Sequence, residues 1–128
     1  MSVLEQLSKY QYLNVETFRK SGVGVRTPVW FVQDGNTIYI RTQAQSGKVK
    51  RIRNNPQVNI APCKVDGELL GGWVAAKAHE VTDRSVHPQI DRLFDRKYGL
   101  MKKFFALLSA LQKRQYAILA IQPLEEQK

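Results

Sequence analysis

The sequence predicts a mainly β fold, an antiparallel barrel of about six strands with peripheral helices, formed by residues 1–128 as one domain. Several segments are rich in β-branched and aromatic residues and alternate apolar with polar positions. Turn residues punctuate them, most clearly Asp34-Gly35-Asn36 between two such runs. Helical spacing is confined to a short opening segment, a stretch after Ser46 and a block from Ser85 to Gln112.

Ser2-Val3-Leu4-Glu5 has the capping-box form, a hydroxyl residue with Glu three positions on, and opens a short helix to about Lys9. From Tyr10 to Lys20, Leu13, Val15 and Thr17 share one face and Asn14 and Glu16 the other, the pattern of a half-buried strand. Val23 to Val32 is a second strand, in which Pro28 has no N–H to donate and so marks an edge or a bulge. After the tight turn, Thr37 to Thr42 returns as its partner. Ser46 caps a helix that carries Val49 and Ile52 and ends at Asn54-Asn55-Pro56, because the residue before proline avoids helical geometry. Gln57 to Val65 is a strand closed by Asp66-Gly67. Gly71-Gly72 reads as a bulge before the strand Trp73 to Val81. Pro88 suits a first helical turn; Ile90, Leu93, Phe94 and Tyr98 then form an apolar stripe, and Gly99 breaks or bends the helix. Gln115 to Ile121 is the last strand.

Composition narrows the class of function. Twenty Lys and Arg against eleven Asp and Glu give a net charge of +9, which favours an anionic partner. The single cysteine, Cys63, cannot form an internal disulfide, as expected of a reducing, cytoplasmic setting. The N-terminus lacks the form of a signal peptide. Phe104 to Leu111, the longest apolar run, is too short to span a bilayer, and the Leu- and Phe-rich stretch Leu100 to Leu111 is expected in the core or at a dimer contact. Cys63, His79 and His87 have no zinc-ligand spacing, so no metal is expected. No nucleophile-elbow motif is present.

The chemistry concentrates between Ile40 and Pro56. Arg41, Lys48, Lys50, Arg51 and Arg53 fall in this one stretch, which leaves a strand and enters a helix at Ser46-Gly47. Helix N-termini present free N–H groups and the positive end of the macrodipole, so a strand-to-helix junction is a place for phosphate. Arginine can grip a phosphate with its fork, lysine adds a point charge, and Thr42 and Ser46 add hydroxyls. A solvated basic helix face is the plainer alternative.

The block from Thr27 to Pro56, with Pro-Val-Trp-Phe, Asp-Gly, Ile-Tyr-Ile-Arg-Thr and Gly-Lys-Val-Lys-Arg-Ile-Arg-Asn-Asn-Pro, resembles the pyridoxamine 5'-phosphate oxidase-like superfamily of FMN-binding split β-barrels. Within it the chain looks most like the flavin- and deazaflavin-dependent oxidoreductases. The resemblance runs from about Tyr12 to Val81 and continues more weakly to Pro123. It implies a homodimer with cofactor sites at the subunit interface. The implied cofactor is FMN or the deazaflavin F420, with its phosphate held by Arg41, Thr42, Lys48, Lys50 and Arg51. Thr27, Pro28, Val29 and Trp30 would run along the ring, with Trp30 turned into the barrel as the alternative. Hydride would pass between the ring and a small organic substrate, with no catalytic side chain required. The Lys and Arg content suits the acidic oligoglutamate tail of the deazaflavin and tilts the choice toward it. The substrate-binding Arg and His constellation of pyridoxamine 5'-phosphate oxidase itself is missing, which argues against that activity.

Two other readings compete. A basic barrel with Tyr, Trp and Phe on its strands could stack single-stranded nucleic acid, but the basic residues gather at one junction instead of following a groove. A protein that holds the cofactor without turnover would present the same sequence. Trp73 is a candidate for the dimer interface.

Overall fold

In the computed structural model, which describes residues 7, 9–112 and 116–124 (residues 100–112 as backbone only), six strands close into a barrel. In chain order the elements are β1 (Tyr12–Phe18), β2 (Gly24–Asp34), β3 (Thr37–Gln43), α1 (Gly47–Asn54), β4 (Gln57–Cys63), β5 (Val74–Glu80), α2 (His87–Gln112) and β6 (Tyr116–Pro123). Around the barrel they run β1-β2-β3-β6-β5-β4, all pairs antiparallel, and β4 returns to β1. The opening helix read from Ser2 falls almost wholly outside the described residues, as do the side chains of Leu100 to Leu111.

Period-two alternation decides what fills the barrel. Leu13, Val15, Phe31, Ile38, Ile40, Val58, Ile60, Leu119 and Ile121 are fully enclosed and pack as one interior cluster, with Val49 and Ile52 of α1 plugging one end. A second cluster lies outside the wall, where Ile90, Phe94 and Tyr98 of α2 cover Val32 and Ile118. The barrel interior is therefore packed with side chains, and a ligand must sit on the outside of the wall or in a gap within it. Gly99 interrupts α2 with φ 54° and ψ −123°, a conformation that costs glycine little. Among the described residues no helix is long and apolar enough to cross a membrane.

Three local expectations change. Asn14 faces away from the interior yet is only 5% exposed, because its Nδ2 donates to Gly67 O (3.1 Å) in the loop after β4. That loop also replaces the bulge read at Gly71-Gly72. Leu70 N donates to Pro62 O, and a Cβ on Gly71 would stand 2.8 Å from Pro62 Cγ, so glycine is there to let the returning chain lie on β4. Trp30 turns out of the barrel, since Phe31 takes the inward position, and stacks on Tyr98 with ring centroids 4.3 Å apart.

Candidate functional site: a split between two strands

The wall of the barrel is incomplete at one place. β2 and β3 pair from Asp34↔Thr37 to Phe31↔Ile40 and no further. Below that last pair β2 continues from Trp30 back to Gly24 against β1 alone. β3 continues through Arg41, Thr42 and Gln43 against β6 alone. Had the register continued, Trp30 would face Arg41, and Val29 would face Thr42. The two edges instead form the lips of a split. Pro28 is compatible with this edge, because it has no N–H to offer a neighbour on the β3 side. The two segments singled out from sequence, Thr27 to Trp30 and Arg41 to Thr42, are these two lips.

The β3 lip leads into α1. Ser46 caps that helix, its Oγ accepting from Val49 N (3.4 Å) and from Thr42 Oγ1 (3.4 Å), so strand end and helix start are tied together. Lys48 follows in the first turn and is only 7% exposed. Among the described residues no acidic group or hydrogen-bond acceptor meets its ammonium. Burial, and then the positive charge of Arg51, push the Lys48 pKa down. A buried cation without a counter-ion, beside the free N–H groups of a helix start, is an arrangement that an anion would stabilise.

The other basic residues go elsewhere. Arg41 Nη1 donates to Asp91 Oδ1 on α2 at 2.8 Å, and its guanidinium lies over the rings of Phe94 and Tyr116. Arg53 pairs with Glu80 at 2.8 Å. Arg51 Nε donates to the fully buried Thr17 Oγ1 at 2.6 Å. Lys50 and Arg51 both line a groove between α1 and the β1–β2 turn. The structure thus joins Thr42, Ser46 and Lys48 at one end of the split and directs Arg41, Lys50 and Arg51 away from it.

On the α2 side, the Tyr98 hydroxyl accepts from Phe31 N (2.9 Å) and lies 2.8 Å from the carbonyls of both Phe31 and Gln11. Phe31 is half of the last β2–β3 pair, so Tyr98 is anchored where the split begins. Lys97 places its Nζ 3.5 Å from the centroid of the Phe31 ring, and burial pulls its pKa down to about 8. Because its folded pKa lies below the value of 10.5 for the free side chain, this lysine disfavours the fold while it is charged in both states. Its contribution to stability is expected to rise with pH from about 8 to 10.5, and Lys97→Met should flatten that rise in thermal melts across the same range.

The family described as pyridoxamine 5'-phosphate oxidase matches residues 3–127, nearly the whole sequence. The chain belongs to the pyridoxamine 5'-phosphate oxidase family. No curated protein matches it. Solved structures share the fold of this family member at low sequence identity. The heme storage protein HutZ of Vibrio cholerae superposes with a TM-score of 0.71 at 18% identity, covering 95% of this chain and 88% of HutZ. A candidate pyridoxamine 5'-phosphate oxidase of Listeria innocua gives 0.67 at 16%, covering 96% and 91%. A FAD-binding protein of Mesorhizobium loti gives 0.64 at 16%, covering 98% and 90%.

Sequence reading missed three residues that touch the lips of the candidate site: Asp91, Lys97 and Tyr98. Tyr98 was visible as one position of an apolar stripe, but nothing local signals a hydroxyl that reaches Phe31, 67 residues away. Asp91 meets Arg41 across 50 residues. Cys63 is buried and its thiol pKa is raised by burial, which makes it a poor nucleophile. The ring Nε2–H of His87 donates to Val81 O at 3.0 Å, a helix-entry contact. Among the described residues no group of metal-binding side chains is present.

Proposed function

We propose that this family member binds a flavin-type cofactor, FMN or the deazaflavin F420, along the split and serves hydride transfer to or from a small organic substrate. The observation that carries the proposal is Lys48, a lysine only 7% exposed that meets no acidic group among the described residues, where the β3 lip turns into a helix. The donor set fits a phosphate: the Lys48 ammonium, the Thr42 and Ser46 hydroxyls, and the unpaired N–H groups of the first turn of α1. The β2 lip, Thr27 to Trp30, lies beyond the last β2–β3 pair and offers its strand edge to a planar ring. Trp30 contributes backbone only, since its side chain is committed to Tyr98.

When bound, the ring supplies the redox chemistry, and the protein's part is to hold, orient and shield it. No acid–base side chain is assigned. One open lip cannot exclude water, and a second copy of the chain would close the split, which is the basis for expecting a homodimer. The heme-storage and FAD-binding roles of two fold neighbours support a barrel that carries a cofactor.

Fluorescence titration with FMN and with F420 separately tests the reading. Saturable binding of one at micromolar affinity or tighter, about −8 kcal/mol, selects the ring. Binding of neither overturns the proposal. Arg41 supplies a finer test. Its pair with Asp91 is part-exposed, worth about 1 kcal/mol at most, so Arg41 can leave Asp91 for a phosphate at little cost. Asp91→Asn is then expected to strengthen cofactor binding by up to about fivefold, and Arg41→Ala to weaken it. Equal affinities in both variants would exclude Arg41 from the site.

A further inference from the structure

We propose that the groove between α1 and the β1–β2 turn is a second anion site, separate from the split, which takes the phosphate groups of a small, multiply phosphorylated ligand. The groove has a volume of about 520 Å3, and Arg19, Lys20, Lys50 and Arg51 line it with no carboxylate among the described residues. Half-buried Phe18 and the Asn54 amide complete the surface a ligand would meet.

The gathering of four cations along one groove is what singles it out. Arg26, Arg41, Arg53 and Lys64 each face an acidic partner: Glu16, Asp91, Glu80 and Glu68. Among the described residues the four groove cations face none. They also act on one another. Burial, followed by the charge of Arg19, works against the Arg51 cation, and Arg51 in turn works against Lys48. Like charges held together without a counter-ion cost free energy that a bound polyanion returns.

Arg51 is fixed for such a role. Its Nε is spent on buried Thr17, and a Cβ on Gly47 would stand 2.7 Å from its Nη1, so the glycine makes room for the guanidinium at the helix start. A fixed guanidinium loses less freedom on gripping phosphate than a mobile one. The volume suits a ligand of mononucleotide size, and four cations gathered in one pocket suit clustered charges better than the spaced phosphates of a nucleic acid. The inference does not depend on the cofactor reading, because Thr42, Ser46 and Lys48 do not line the groove.

Calorimetric titration of the intact protein with inorganic pyrophosphate at low ionic strength tests it. The variants are Lys20→Ala/Lys50→Ala, which removes two exposed cations that form no ion pair or side-chain hydrogen bond among the described residues, and Lys48→Ala. Wild-type protein is expected to bind pyrophosphate saturably. The double variant should bind it at least about tenfold more weakly, with FMN and F420 titrations unchanged. Lys48→Ala should leave pyrophosphate affinity within about twofold. The proposal fails if wild-type protein does not saturate, if the double variant binds as wild type does, or if Lys48→Ala loses pyrophosphate as strongly as the double variant. Tighter binding of an oligothymidine or of triglutamate than of pyrophosphate would also overturn it, assigning the groove to nucleic acid or to carboxylates.

Discussion

Lys48→Ala is expected to weaken flavin-type cofactor binding about 30-fold, roughly 2 kcal/mol, the usual value of a hydrogen bond to an ionised group in a partly buried site. The loss should appear as faster dissociation, because a charge at the end of a packed split holds a ligand more than it steers one. An affinity within twofold of wild type, measured in the same fluorescence titration, would take the phosphate away from α1.

The same residue carries a signature in the free protein. Its pKa is lowered in the folded state, by burial first and by Arg51 second. A base whose folded pKa falls below its unfolded value is a liability wherever both states are protonated. That penalty is present below the folded pKa and fades as pH climbs toward 10.5, the value for the free side chain. Lys48→Met keeps the aliphatic packing and removes the buried charge. It is therefore expected to raise the melting temperature of the cofactor-free protein by on the order of a few degrees at neutral pH, while it lowers the cofactor's own stabilising effect by about 2 kcal/mol. A residue that serves only the fold would move both melting temperatures downward. Opposite movement in the free and loaded protein would identify a position kept at the expense of stability for the sake of a ligand.

The strands were readable because their constraints are local. The turn at Asp34-Gly35 follows from residue type, and Gly35 takes φ 61° there. Ser46 and Asn54-Asn55-Pro56 bracket α1 because a cap and a proline act on their immediate neighbours. What could not be read is which face a third element covers. Alternation requires Trp30 and Phe31 to point opposite ways, but only the docking of α2 on the outer wall decides which goes in. The basic run illustrates a limit of another kind. At about 100° per residue, Lys50 points about 160° away from Lys48 whereas Arg51 lies only about 60° from it, so one phosphate cannot be met by all three side chains. That division was implicit in the spacing. The Arg41–Asp91 pair was not, since it depends on two elements meeting across 50 residues.

Tyr98→Phe is expected to be the most destabilising conservative change in the described part of the protein, by about 2 kcal/mol, with the melting temperature lowered by about 5–10 °C. Among the described residues this hydroxyl supplies the hydrogen bonds that join α2 to the β2 backbone, placed between Phe31 N, Phe31 O and Gln11 O. Burial raises its pKa far above the usual phenol value, so it remains a neutral donor at any working pH. Removing it leaves buried backbone groups without their partner and returns no packing, since the ring already stacks on Trp30 at 4.3 Å. The loss should not stop at stability. Phe31↔Ile40 is the last pair before β2 and β3 part, so the hydroxyl fixes the position from which both lips diverge. Loosening that apex lets the β2 lip shift against Thr42 and Lys48, and cofactor affinity should fall several-fold although Tyr98 holds none of the proposed phosphate contacts. Trp30→Leu removes the stacked ring and spares the hydroxyl. If it lowers stability while affinity holds, and Tyr98→Phe lowers both, the hydrogen bonds at the apex set the geometry of the split; equal loss of affinity in the two variants would assign that role to the packing of α2 as a whole.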